Sequence, residues 1–371
     1  MALGLIAAAR RAQRTLLYAS DPITPASDIL HELSQHKEFD VRTLQCEDEI
    51  AACCAALGGS FAGAIGVTGT SGPGLSLKTE AIGLAVMTEL PLVIIDVQRA
   101  GPSTGLPTKT EQADLFMALF GRHGEAPVPV LAAASPADCF AMAFEAVRLA
   151  TKYMTPVLVL SDSFLANSAE AFPIPKPKDL PDLTIPSPAP GAAEFAPYKR
   201  DPKTLARPWA VPGIEGLEHR IGGLEKQDGS GLVSYDADNH RKMVELRARK
   251  IEGIASDIPP AQVDGDARGN LLIVSWGSTH GAITAAVKQA RAEGYAASHL
   301  HLRHLNPLPA NVGDVLRGFR KILVPENNLG QLCFVLRSRF LVDAKPLSKV
   351  EGRPFLIREI RNAIGEELKS A

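Results

Sequence analysis

The chain has 371 residues, too many for one average hydrophobic core and enough for about two. It is 46% hydrophobic and 22% charged, as ordinary globular proteins are, and its net charge of -2 gives no electrostatic reason to expect nucleic acid or an anionic membrane as partner. No apolar run reaches the ~18 residues that a membrane-spanning helix needs.

Met1 to Arg14 carries arginines and no acid, a pattern shared by transit peptides and first helices. It leads straight into an apolar strand, Leu16 to Ala19, so a first helix is expected. A helix follows Pro25 over Ala26 to Gln35, then a strand over Val41 to Gln45 and a small-residue helix over Glu49 to Ala62. Ala64 to Thr68 reads as a strand, then a glycine loop, then a helix from about Leu75 to Thr88. Leu92-Val93-Ile94-Ile95 is continuously apolar, as strands buried on both faces are. A helix over Pro136 to Tyr153 and a last strand over Val157 to Leu160 complete an alternation that predicts β-α-β units and a mostly parallel sheet.

Residues 173–212 hold eleven of the chain's 28 prolines, which predicts an extended or wrapping segment without helix or ladder. A basic helix resumes over His240 to Ile254, and its Arg247-Ala248-Arg249-Lys250 cluster reads as a solvated face. A second α/β unit starts near Gly269. Its expected strands are Leu271 to Ser275, Ala296 to Leu302 and Lys321 to Pro325, and its helices Gly281 to Glu293 and Gly330 to Phe340. The expected fold class is therefore α/β with two parallel-sheet domains, divided as 1–172, 173–267 and 268–371.

Two segments carry candidate chemistry. Thr68-Gly69-Thr70-Ser71-Gly72-Pro73-Gly74 lies between a strand and a helix. Glycines there allow a ligand to approach the backbone, and the helix start offers free N–H groups. The pattern matches neither the dinucleotide nor the P-loop motif, and a plain structural turn stays open. Glu47-Asp48-Glu49 closes a strand and opens a helix, so N-terminal capping is the plain alternative to catalysis. The five cysteines, Cys46, Cys53, Cys54, Cys139 and Cys333, include no C-x-x-C pair. They supply no recognisable cluster or zinc ligand set, and their odd, scattered count suits a reducing cytoplasm. His299, His301 and His304 lack a fourth ligand and read as packing histidines, so no metal site is assigned.

Glu49, a small-residue helix, Gly58 nine residues on, a strand and then Thr70-Ser71-Gly72-Pro73-Gly74 resemble the pyrimidine-binding domain of thiamine diphosphate enzymes. Pro22-Ile23-Thr24-Pro25-Ala26-Ser27, Thr70 to Ala81, Asp96 to Thr108 and Val350 to Phe355 narrow the resemblance. It is to the α subunit of 2-oxoacid:ferredoxin oxidoreductases, most closely the 2-oxoglutarate type, over nearly the whole chain. The resemblance implies a pyrimidine-binding domain followed by a transketolase C-terminal-like domain. It implies that Glu49 hydrogen-bonds N1′ of the cofactor's aminopyrimidine and exchanges a proton there. Pro22, Ile23, Thr70, Ser71 and Gly72 would line the cofactor. Thr24 and Arg99 would hold the 2-oxoacid, with Ser103 and Thr104 on the same pocket.

The resemblance also implies oxidative decarboxylation of a 2-oxoacid to an acyl-CoA, with electrons passing to ferredoxin. This chain shows no diphosphate–metal motif, so thiamine diphosphate would be shared with a β subunit. Mg2+ and the [4Fe-4S] cluster would lie on that partner chain, in an assembly of two αβ pairs. Two departures stand out. Asp21 replaces the family's usual Tyr, and a Gly-Asn-Glu-Ala-like stretch expected before Ala2 is missing, as if the start were truncated or an upstream domain lay on another chain. The alternatives are a non-catalytic scaffold paralogue, the β part of a 2-oxoacid dehydrogenase, or a plain nucleotide-binding α/β protein.

Overall fold

The computed structural model describes residues 1–191 and 195–369. In chain order the first part comprises α1 (Ala2–Ala12), β1 (Leu16–Ser20), α2 (Ser27–Leu33), β2 (Val41–Gln45), α3 (Glu49–Phe61), β3 (Ile65–Thr70), α4 (Gly72–Thr88), β4 (Leu92–Gln98), α5 (Leu115–Phe120), β5 (Val130–Ala132), α6 (Asp138–Tyr153), β6 (Pro156–Asp162) and α7 (Ser163–Ala166). After the proline-rich stretch come α8 (Ala237–Gly253), β7 (Val263–Asp264), β8 (Gly269–Trp276), α9 (His280–Ala292), β9 (Ala297–Leu302), β10 (His304–Asn306), α10 (Val312–Arg317), β11 (Phe319–Glu326), α11 (Gln331–Phe340), β12 (Ala344–Ser348) and α12 (Ile357–Lys369).

The strands form two sheets, as the α/β alternation predicts. The first runs β10-β5-β6-β4-β3-β1-β2 and the second β12-β11-β8-β9-β7. Every pairing among β1 to β6 is parallel. β4 and β6 sit centrally with all seven residues of each buried, because helices cover both faces. The chain leaves β1 toward β2 on one side and β3 on the other. That makes the β1/β3 boundary a topological switch point, where connections diverge and leave a crevice at the carboxyl ends of the strands.

Two local expectations change. The segment read as a glycine loop has almost no loop: β3 runs through Thr70 and α4 begins at Gly72. Pro73 fits the first turn of a helix, where its missing N–H would have had no partner. Of the two readings open for 173–212, its described residues follow the wrapping one. Arg11 donates to the Pro181 carbonyl, and the buried Trp209 indole donates to the Ser60 carbonyl at 3.1 Å. The Arg247–Lys250 cluster is not a solvated face. Lys250 is 4% exposed and paired with Glu89, and Arg247 is 9% exposed beside Glu225, because the wrapping segment folds over this side of α8.

β10 belongs to the C-terminal part of the chain but pairs antiparallel with β5 on the edge of the first sheet. Gln112 joins the two sheets on the other side. It donates to the Trp276 carbonyl at 2.8 Å and accepts from Asn327 N–H at 3.0 Å, while the Asn328 amide donates to the Gln112 main-chain carbonyl. Glu326, at the end of β11, accepts from Leu332 and Cys333 N–H and from the Trp276 indole, so it caps α11 as its position suggests.

Candidate functional site

The carboxyl ends of β1, β2, β3 and β4 lead into Asp21–Thr24, Cys46–Glu49, Ser71–Gly74 and Arg99–Thr108 respectively. Four of the sequence's candidate segments therefore meet along one end of the first sheet, astride its switch point.

The three consecutive acids separate cleanly. Asp48 is the N-cap of α3: its Oδ1 accepts from Ala51 N–H at 2.7 Å. Glu47 is exposed. Glu49, the first residue of α3, makes no side-chain hydrogen bond or ion pair to the described residues and turns toward α4. A Cβ on Gly74 would lie 2.8 Å from Glu49 Cγ, 2.9 Å from its Oε1 and 2.1 Å from Thr70 Oγ1. The glycine is required here for close approach, not for backbone conformation. By contrast a Cβ on Gly58 would meet nothing within 4 Å, so the nine-residue spacing does not reflect a packing need inside this chain. The small residues of α3 pack on strand: Gly66 lies against the Ala56 carbonyl, which a Cβ would approach to 2.1 Å.

Several polar atoms around the turn are buried without partners: Thr68 Oγ1, Ser71 Oγ and Arg99 Nε. Ser71 sits at the N-cap position of α4 without making a side-chain cap; Gly74 and Leu75 N–H bond its carbonyl and Pro73 has no N–H, which leaves Gly72 N–H as the donor at the helix start. Beneath it lies a pair of acids. Asp96, wholly buried, has its carboxyl held well above the usual range by burial and by Asp114. Asp114 is pushed up to about 6 by burial, while its interaction with Asp96 pulls it back. Asp114 also bounds the turn: a Cβ on Gly72 would lie 2.7 Å from its Oδ1. An interacting pair of this kind favours one proton between the two carboxyls, so that it carries one negative charge and not two.

The substrate candidates are arranged differently. Thr24 is exposed and does not cap α2, whose N-cap is Ala26, and Ser27 Oγ accepts from Ile23 N–H. Thr24 lines a cavity of about 450 Å3 with Ser27, Thr108, Lys109, Ser163 and Asn167. Pro22 and Ile23 stand beside it in the chain, exposed and half-buried. Arg99 is 8% exposed, and its Nη1 donates to the Thr24 carbonyl at 2.6 Å. Ser103 and Thr104 lie at the exposed tip of a loop closed by Ala100 and Leu106, away from that cavity wall. Ser103 takes a left-handed φ of 56° there.

Two residues escape the sequence reading. Lys78, on α4, is fully buried, with its Nζ 3.4 Å from Asp21 Oδ1 and 3.1 Å from the Glu49 carbonyl. Asp21, which stands where the resemblance expects Tyr, thus points inward to a base and not into the crevice. A lysine within the small and apolar run Leu75-Ser76-Leu77-Lys78 was the only signal. Ser275 is the second: its Oγ lies 2.7 Å from His299 Nε2 and 2.8 Å from His301 Nδ1. Burial pushes His299 down to about 4 and His301 well below its usual value, so these rings are neutral packing groups. No group of three or more His, Cys, Asp or Glu among the described residues is placed to hold a metal ion. No helix among them is long and apolar enough to cross a membrane.

A family model described as pyruvate flavodoxin/ferredoxin oxidoreductase, thiamine diphosphate-binding, matches residues 8–236. The chain belongs to this family. The family is also the one that the resemblance of the turn and of Asp96 to Thr108 implied. Among curated relatives, the 2-oxoglutarate oxidoreductase subunit KorA of Mycobacterium tuberculosis is 56% identical over 97% of this chain and 55% of its own length. The 2-oxoglutarate synthase subunit KorA of Methanothermobacter marburgensis is 33% identical over 94% of this chain and 92% of its own. A solved 2-oxoglutarate:ferredoxin oxidoreductase from Magnetococcus marinus, with 2-oxoglutarate, coenzyme A and succinyl-CoA bound, superposes with a TM-score of 0.93 at 34% identity, over 99% of this chain and 64% of that one. The chain thus spans about half the length of the M. tuberculosis relative and under two thirds of the solved one. A split-gene transketolase matches with a TM-score of 0.56 at 14% identity, a likeness of fold.

The residues present fit a thiamine diphosphate. A carboxylate without a protein partner lies over a glycine that a side chain would fill, beside buried hydroxyls that lack partners. A carboxylate so placed can accept from, and exchange a proton with, a ring nitrogen.

Proposed function

We propose that this chain is the α-type subunit of a 2-oxoacid:ferredoxin oxidoreductase of the 2-oxoglutarate type. The free carboxylate of Glu49 against Gly74, at the switch point of a parallel sheet, carries the reading. The names of the M. tuberculosis and M. marburgensis relatives, and the ligands of the M. marinus structure, support the substrate. The overall reaction is 2-oxoacid plus CoA plus two oxidised ferredoxins to acyl-CoA, CO2, two reduced ferredoxins and a proton.

When bound, thiamine diphosphate supplies the nucleophilic carbon and the electron sink that decarboxylation needs. Glu49 holds a proton at N1′ of its aminopyrimidine. Thr70, Ser71 and Gly72 bound the ring's pocket, and Pro22 and Ile23 close it from the β1 side. Thr24 and Arg99 orient the 2-oxoacid carboxylate, with Arg99 acting in part through the Thr24 carbonyl it already holds. Ser103 and Thr104 approach the substrate from the loop tip. Residues 1–172 form the pyrimidine-binding domain, 173–267 the wrapping segment, and 268–371 the transketolase C-terminal-like domain.

A β subunit brings the diphosphate site, Mg2+ and a [4Fe-4S] cluster. Two αβ pairs assemble, and ferredoxin docks on the complex. The five unpaired cysteines suit a cytoplasmic location.

The test is a panel of 2-oxoacids with CoA and a one-electron dye, run on the chain co-purified with its β partner. We expect turnover by the complex, none by the chain alone, and a loss of roughly 10^2–10^4-fold in kcat for Glu49→Ala. An unchanged rate in that variant refutes the assignment and favours the scaffold paralogue.

A further inference from the structure

Burying an ammonium is costly unless it is paired and hydrogen-bonded, so a lysine with 0% exposure needs a reason. The partners of Lys78 give one. Asp21 follows β1 and precedes the Pro22–Thr24 segment. Glu49 opens α3 after β2. Lys78 itself lies on α4, which opens with the Gly72–Gly74 turn after β3. A single Nζ therefore bridges the three connections that carry the expected cofactor and substrate groups, at 3.4 Å to Asp21 Oδ1 and 3.1 Å to the Glu49 carbonyl. The groups facing it include the Cys46 and Cys53 thiols, both of which its charge stabilises as thiolates against a larger desolvation effect. Asp21, with its side chain 7% exposed, is the carboxylate that offsets the charge.

We propose that Lys78 is a positioning residue: its ammonium ties the first turn of α3 to α4 and so holds the Glu49 carboxylate over Gly74, with Asp21 neutralising the strut. The inference rests on the role of Glu49 proposed above. Lys78 touches the main chain of Glu49, not its carboxylate, so it sets where that carboxylate sits. Displacements of about 1 Å at such a group cost on the order of 10^2-fold in rate.

The test separates positioning from stability in the complex with the β subunit. Lys78→Met leaves Asp21 buried without its cation and should lower Tm. The double variant Asp21→Asn with Lys78→Met has no buried charge left and should recover most of that Tm. The readout is hydrogen–deuterium exchange at C2 of bound thiamine diphosphate, followed by quenched NMR, alongside cofactor affinity by calorimetry. We expect exchange to slow tenfold or more in both variants, with the double variant still slow after its Tm has recovered. Recovery of exchange together with Tm would show a merely structural pair and overturn the proposal. So would wild-type exchange in either variant while Glu49→Ala is slow. Wild-type exchange in Glu49→Ala sinks both the strut and the assignment beneath it.

Discussion

A methyl group at Gly74 would sit 2.1 Å from Thr70 Oγ1 and 2.9 Å from Glu49 Oε1. Neither contact involves backbone, so Gly74→Ala should fold while pushing the Glu49 carboxylate off its seat. We expect weaker thiamine diphosphate binding, by tenfold or more on titration calorimetry, with Tm changed by only a few degrees. Asp114 gives a second residue-scale prediction. Its carboxyl rises from 3.8 to about 6 in the folded protein. A raised acid contributes nothing below its unfolded value, and its cost to stability grows as pH rises through the folded value. Asp114→Asn should remove that cost: the Tm–pH curve should flatten between about pH 4 and 6, and stability at pH 7 should rise by up to about 3 kcal/mol. A variant no more stable than wild type at pH 7 would show that the shared proton with Asp96 already offsets the cost. The acids at 47–49 show how much of this scale was legible. The nine-residue spacing to Gly58 points to Glu49 in the sequence, but that Asp48 is the acid that caps depends on the phase at which α3 begins.

At the scale of elements, α4 shows what its two ends do. Its start faces the crevice, and its C-terminal cap is Glu89, 3% exposed with a left-handed φ of 49°. Glu89 receives both Nη groups of Arg200, at 2.6 Å each, and the Lys250 ammonium. This cluster pins both the wrapping segment and α8 to the first sheet's helical layer. The Glu89 carboxyl is lowered to about 2 because the attraction of the two cations exceeds the desolvation it suffers. Lys250 is lowered as well, since for it burial outweighs the one shared acid. Glu89→Ala leaves the buried Lys250 ammonium without its acid and Arg200 with Asp228 alone, and should cost about 3–5 kcal/mol in denaturant unfolding. Early proteolysis within 173–236 should accompany it; a protease-resistant variant would contradict this account. Burial of Lys250 could not be read from an amphipathic basic helix, because the acid that recruits it lies 161 residues away. The short strands β5 and β10, of three residues each, are invisible for a related reason. Neither has a period of its own: β5 exists because β6 offers it a ladder, and β10 because β5 does.

At the scale of the molecule, the two sheets are held by the β5–β10 pairing on one side and by Gln112 on the other. Gln112 is fully buried and uses both ends of its amide across the junction. Gln112→Ala would leave the Asn327 N–H unsatisfied and the Trp276 carbonyl with the Thr279 hydroxyl alone, a cost of about 1–3 kcal/mol. It should also lower cooperativity, seen as broader calorimetric unfolding, while leaving Glu49 in place. Unbroadened unfolding would mean that β10 and the Gln331 amide, which accepts from Phe116 N–H and donates to the Ala113 carbonyl, suffice to couple the sheets. By itself the sequence determined the alternation of strands and helices, the two α/β units, the glycine turn and the acid that faces it, because each rests on local periodicity or on a short contiguous motif. Only the tertiary structure decided that Asp21 turns inward to Lys78, that Asp96 pairs with Asp114, that Arg99 is held by the Thr24 carbonyl and that the basic helix is covered. Those outcomes depend on which strand ends become neighbours, and the order in which β1 to β4 assemble is set by burial across the whole sheet rather than by any segment of it.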